Sequence, residues 1–112
     1  MAKRTVPPRP EVEDGLKILG ALIREARLEH RWTQRDLALR VNVSVPTIAK
    51  IEAGSPTSAV GSVFDAAHMV GVPIFGIEDR AELARMRRQN EEKLALLPQR
   101  VRPRTGKVSN DF

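Results

Sequence analysis

The chain has 112 residues, with 19 Lys and Arg against 14 Asp and Glu, a formal net charge of +5, and only 4% aromatic residues. That length holds one domain with tails, and so few aromatics leave a small aliphatic core, which suits a compact helical fold better than a β-sandwich. The absence of Cys removes disulfides, thiolate metal ligands and a Cys nucleophile, while the positive balance points to a polyanionic partner.

Residues 1–13 set Lys3, Arg4 and Arg9 among Pro7, Pro8 and Pro10. Prolines at that density disfavour a helix and read as a flexible basic arm, which either touches DNA phosphate or the minor groove or is simply a disordered start. Asp14 is placed to cap a first long helix running to about His30. In it Ile18, Leu19, Leu22, Ile23 and Ala26 form a stripe at helical spacing, and Arg24, Glu25, Arg27 and Glu29 mark the polar side.

Residues 31–54 read as two short helices joined by a tight turn. Thr33 is an N-cap, with Asp36 three residues on completing a weaker form of the capping box. Leu37, Ala38 and Val41 mark one apolar face, and Asn42 tolerates the left-handed conformation that reverses a helix sharply. Ser44 caps the next helix and Pro46 falls in its first turn, where a missing N–H costs nothing. Ile48 and Ile51 face inward, the small Ala38 lets the two helices approach, and Ala53-Gly54 ends the second. This is the physical recipe of a helix-turn-helix.

Ser55-Pro56-Thr57-Ser58 is a loop by composition. Residues 59–70 make a further helix, with Val60, Val63, Phe64, Ala67 and Val70 expected to close over the motif, and Gly71-Val72-Pro73 ends it. Ile74-Phe75-Gly76-Ile77 is apolar enough to cap the core or begin a dimer contact. From residue 77 to 97 the pattern becomes a charged helix with a narrow stripe of Leu83, Met86, Asn90, Leu94 and Leu97. So thin a stripe outside the core needs a surface to bury it: a second subunit, another protein, or its own domain. Residues 98–112 carry Arg100, Arg102, Arg104 and Lys107 with two prolines, a flexible basic tail that ends in Asp111-Phe112.

The stretch around Trp32-Thr33-Gln34, Ala38, Ile48, Ile51 and Glu52-Ala53-Gly54 resembles the phage-repressor-like (Xre, or lambda-repressor-like) helix-turn-helix family. Asn42 departs from the Gly usual there. The resemblance implies an all-α fold: a compact five-helix repressor-like domain at 14–76, with a further short helix near residue 74, then a C-terminal helix and flexible tails. It also implies a buried pair between Arg27 and Glu52, structural in role, and a phosphate contact at Gln34. The end of the chain, Leu96-Leu97-Pro98, Arg100-Val101-Arg102-Pro103 and Asp111-Phe112, resembles HipB-like antitoxins. That likeness implies a partner, a HipA-like kinase toxin.

The helix beginning at Val45 would present Ser44, Val45, Pro46, Thr47 and Lys50 to base edges, and Arg35 and Arg40 are candidate phosphate contacts. No Arg, Asn or Gln stands at 44–47, so the bidentate pairings with G or A are missing there and DNA shape and dimer spacing must carry much of the specificity. Reading an inverted-repeat operator calls for a homodimer, for which Phe75, Ile77, Leu83, Met86, Asn90, Leu94, Leu97 and Phe112 are the candidate dimer or partner contacts. No Gly-rich phosphate loop, paired-His spacing or Ser elbow occurs, and His30 and His68 lie far apart, so no enzyme activity, cofactor or metal is expected. No apolar run approaches about 18 residues and no signal-peptide core is present, so no membrane association and a cytoplasmic location are expected. The reading is a transcriptional repressor, as the antitoxin of a toxin–antitoxin pair. A stand-alone phage-type or metabolic repressor and a module mainly for protein binding are the alternatives.

Overall fold

The structure, a computed structural model, describes residues 6–101 and residue 103. The described residues form five α-helices and no named strand: α1 Pro10–Glu29, α2 Gln34–Val41, α3 Val45–Glu52, α4 Val60–Val70 and α5 Arg80–Ala95. Two compact units meet at the Ile77–Glu78 boundary.

In the first unit α1 to α4 enclose one core built from Ile23, Leu37, Ala38, Val41, Ile48, Ile51, Val63, Ala66, Ala67 and Val70. Helices α2 and α3 are begun and stopped by local chemistry. Thr33 and Asp36 form a full capping box, Thr33 Oγ1 accepting from the Asp36 N–H at 3.0 Å and Asp36 Oδ2 from the Thr33 N–H at 2.8 Å. Asn42 stops α2 in the left-handed region at φ 60°, and the Val43 N–H closes on the Ala38 carbonyl at 3.0 Å. Ser44 caps α3 by accepting from the Thr47 N–H at 3.2 Å. Gly54, at φ 76°, ends it in a Schellman arrangement, with Ser55 N–H on the Lys50 carbonyl at 3.0 Å and Gly54 N–H on that of Ile51 at 3.1 Å.

Three expectations need correcting. The first helix starts at Pro10, not Asp14, because a proline at the first helical position is pre-set for the turn and Glu11 and Glu13 favour the positive helix end. That helix is also rotated from its expected face. Ile23 is buried with Leu19 and Ala26 packed beside it, while Ile18 is 61% exposed and Leu22 is exposed too. Gly20 explains the rotation, since a Cβ there would stand 2.5 Å from the Glu52 carbonyl oxygen and 2.6 Å from that of Ile51. Only a bare Cα lets α1 lie against the end of α3.

The third concerns residues after α4. Val60 and Phe64 do not close over the motif but are exposed, and Ala66 takes the buried place beside Val63, Ala67 and Val70. The further short helix is replaced by a tight turn in which Ile74 and Ile77 form an isolated antiparallel bridge. Phe75 and Gly76 hold left-handed φ values of 54° and 69° at its tip, a geometry no α-helix shares.

The second unit contains α5, capped by Asp79, whose Oδ1 accepts from the Ala81 N–H at 3.0 Å. No residue of α5 is buried. An exposed Arg87–Glu91 pair at 2.6 Å, one helical turn apart, adds at most about 0.5 kcal/mol. Phe112, Arg102, Arg104, Lys107 and Asp111, with Lys3 and Arg4, lie outside the described residues.

Candidate nucleic-acid interface

The helix pair is locked to α1 from inside. Glu52, in the last turn of α3, receives Arg27 from α1 as a two-pronged ion pair: Nε on Oε2 at 2.6 Å and Nη2 on Oε1 at 2.9 Å. Both side chains are almost wholly buried, at 7% and 3% exposure, so each charge has the other as its counter-charge out of water. The remaining Arg27 edge donates from Nη1 to the Trp32 carbonyl at 2.8 Å. Gln34, the first residue of α2, donates from Nε2 to Glu52 Oε1 at 3.2 Å. One carboxylate thus joins α1, the loop after it, α2 and α3, and fixes how the helix-turn-helix is held.

A second device clamps the motif at the α1–α2 corner. Trp32 packs against two groups: the His30 ring stacks on it at 4.3 Å and 15°, and the Arg40 guanidinium sits 4.0 Å from the indole centroid. His30 also reaches α4, its Nε2 lying 2.9 Å from the Val70 carbonyl. Arg40 further donates to the Asp36 carbonyl at 3.3 Å, so this arginine lies along its own helix. Sequence reasoning used Trp32 only for the family likeness and missed the stack. The available signal was a lone tryptophan flanked by His30 and Arg40.

With the motif held, α3 presents outward its first turn and, one turn on, Lys50. Ser44, Val45, Pro46 and Lys50 are exposed, and Thr47 is half-buried. The Ser44 and Thr47 hydroxyls lie 2.8 Å apart and serve the cap, which leaves the Thr47 methyl, Val45 and Pro46 as an apolar surface beside the Lys50 ammonium. Arg35 is exposed on the first turn of α2. The Asp36 carboxyl beside it is held below the usual carboxylate range, first by the Thr33 backbone N–H, then by the Thr33 hydroxyl, with Arg40 and Arg35 adding to this.

The dimer and partner candidates fall in both units. Phe75 is 73% exposed in its left-handed turn and meets Phe64 edge to face at 5.9 Å, so the pair forms one aromatic patch of the first unit. Ile77 is half-buried there. In the second unit Met86 and Leu94 are exposed on α5, as is Leu97 just past its end, and Leu83 and Asn90 share their stripe. Among the described residues no helix is long and apolar enough to cross a membrane.

No curated protein matches the chain. Residues 23–75, from the buried Ile23 of α1 to the turn at Phe75, match the family model described as helix-turn-helix. That model is of the Xre/lambda-repressor-like helix-turn-helix type, a type of DNA-binding regulator, and the match covers 53 of the 112 residues.

Proposed function

We propose that the protein is a sequence-specific repressor that binds an inverted-repeat operator as a homodimer. The observation that carries this reading is the first turn of α3, exposed on a helix whose other end is pinned by the buried Arg27–Glu52–Gln34 network. A helix about 10–12 Å across with its side chains fits a B-DNA major groove about 12 Å wide. In that groove Lys50 donates to guanine O6/N7, while Val45, Pro46 and the Thr47 methyl meet thymine methyls. Ser44 acts through the cap. Gln34 and Arg35, at the start of α2, meet backbone phosphate, aided by the free N–H groups of that helix end. The Glu52 hydrogen bond gives Gln34 a fixed orientation for this contact.

The exposed aromatic patch at Phe64 and Phe75, next to Ile77, supports pairing of two copies. A left-handed Phe costs about 1–2 kcal/mol, a strain that persists where the ring has a use. The finer reading is the antitoxin of a HipA-like kinase toxin, which represses its own operon and holds the toxin. Its support is the likeness of residues 96–112 to HipB-like tails, together with an α5 stripe whose Met86, Leu94 and Leu97 are exposed.

Selection from a random duplex pool with the full-length protein tests the main reading. The expected winner is an inverted repeat with half-sites about one turn, ~34 Å, apart. Enrichment of no sequence would count against it. Deleting residues 98–112 tests the finer reading. An antitoxin loses toxin binding more than operator binding, whereas a stand-alone repressor shows only a weaker, salt-dependent operator affinity.

A further inference from the structure

From Val45 to Lys50 the outward side of α3 is chemically lopsided. Val45, Pro46 and Lys50 are exposed there, and Thr47 and Ala49 are half-buried. Lys50 can only donate, and the side chains of Val45, Pro46 and Ala49 carry no polar atom. The Thr47 hydroxyl lies 2.8 Å from that of Ser44, which also accepts the Thr47 N–H at 3.2 Å, so both hydroxyls serve the cap. No carboxylate or amide stands on this side to receive the exocyclic amine of cytosine or adenine. In the major groove thymine differs from cytosine in two respects: an O4 acceptor in place of the N4 amine, and a methyl group on C5. Away from Lys50 the first difference meets no partner. Only the methyl group is felt.

We propose that the first turn of α3 reads the pyrimidine 5-methyl group itself, so that 5-methylcytosine is accepted as thymine is and cytosine-5 methylation strengthens operator binding. This rests on the groove placement of α3 in the proposed function, and adds to it a modification of the DNA to which the protein responds. The surface is already shaped for a methyl group. Val45 is β-branched and stiff at χ1, the Pro46 ring is rigid, and the hydrogen bond to Ser44 holds the Thr47 side chain. Contact therefore costs little side-chain entropy. Five residues of helix, about 7.5 Å, separate Val45 from Lys50, which is about two base-pair steps of about 3.4 Å. The guanine read by Lys50 and the methylated pyrimidine thus lie within about two base pairs of each other. Burying one methyl group is worth about fourfold in affinity, and one in each half-site of a dimer multiplies to roughly 15-fold.

Every base pair carries one pyrimidine, so the operator selected from the random pool can be scored at each position. Each thymine is replaced singly by uracil, which lacks only the methyl group, and each cytosine by 5-methylcytosine, which adds only that. Affinity of the full-length protein is measured for every duplex. The expected result is at least one position per half-site where the methylated base binds about fourfold tighter than its unmethylated counterpart. That position should lie within about two base pairs of the guanine at which Lys50→Ala relaxes preference. Where its base is thymine, a cytosine–guanine pair put there binds more weakly, and methylating that cytosine recovers about fourfold. Absence of recovery would overturn the inference, as would methylation that weakens binding at every such position. A Val45→Ala, Thr47→Ser double variant, which keeps the capping hydroxyl and touches no core residue, should at least halve the methyl effect. An undiminished effect would assign the methyl contact elsewhere and overturn the inference too. An operator indifferent to its methyl groups would retire this inference and leave the repressor reading standing, whereas a pool that yields no operator would retire both.

Discussion

The two units of this chain are ordered by opposite means. Residues in α1 to α4 surround an aliphatic core, and a buried carboxylate receives three hydrogen bonds from α1 and α2. Helix α5 has its cap and its one-turn ion pair, yet Leu83 and Ala84 are its only half-buried residues and none is fully buried, and Leu94 in its stripe is 65% exposed. The difference teaches where specificity is stored. The first unit holds its surface rigid from within, which reading a fixed pattern of base edges demands; the second leaves Met86, Leu94 and Leu97 exposed.

The comparison breaks most readily at Glu52. Glu52→Ala leaves the Arg27 guanidinium buried without its counter-charge, and the expected loss is about 3–5 kcal/mol, read by urea or thermal unfolding. A melting temperature equal to that of wild type would remove the network from the account. Gly20→Ala comes next. Alanine gains up to about 1 kcal/mol of helix propensity, but its Cβ meets two backbone carbonyls that cannot swing aside, so a net loss of about 1–3 kcal/mol is expected. A stabilised variant would mean that α1 shifts freely on α3.

Smaller effects sharpen the contrast. Thr33→Ala removes one half of the capping box, with an expected loss of about 1 kcal/mol by urea unfolding. The other half is pH-dependent. The Asp36 carboxyl is depressed in the folded state, so its contribution is present in full above the unfolded carboxylate value and disappears as pH falls through the folded one. The melting difference between wild type and Asp36→Ala should therefore be present at about pH 6 and shrink towards about pH 3. A difference that grows on acidification would contradict that sign. At the far end, Leu94→Ser should change unfolding of the first unit by less than about 0.5 kcal/mol, because no core contact is lost. A larger loss would show that α5 belongs to the core after all.

What the sequence made legible follows the same divide between local and distant causes. The Thr33–Asp36 box, the left-handed Asn42, the Ser44 cap and the burial of Ile48 and Ile51 each depend on residues within a turn or two, and all can be read from spacing. The meeting of Arg27 with Glu52 spans 25 residues and was reached through family likeness, not through periodicity. Harder features depend on what packs opposite. Nothing within α1 says that Gly20 must face two carbonyls of α3, so Ile18 and Leu22 read as core and lie outside it. Pro10 misled because proline both excludes a helix interior and favours a helix start. The turn at 74–77 was illegible for a related reason: an apolar Ile-Phe-Gly-Ile run fits a short helix as well as a bridge until the left-handed Phe75 is seen.

The central claim is that the exposed residues of α3 from Val45 to Lys50 read bases, and Lys50 tests it most directly. We would measure the affinity of wild-type and Lys50→Ala protein for the selected operator and for random duplex, across a salt series. The account predicts a loss of about 1–3 kcal/mol on the operator, relaxed preference at one base position and little change on random DNA. An equal loss on both, with a shallower salt slope, would make Lys50 a phosphate contact and contradict the placing of α3 in the groove.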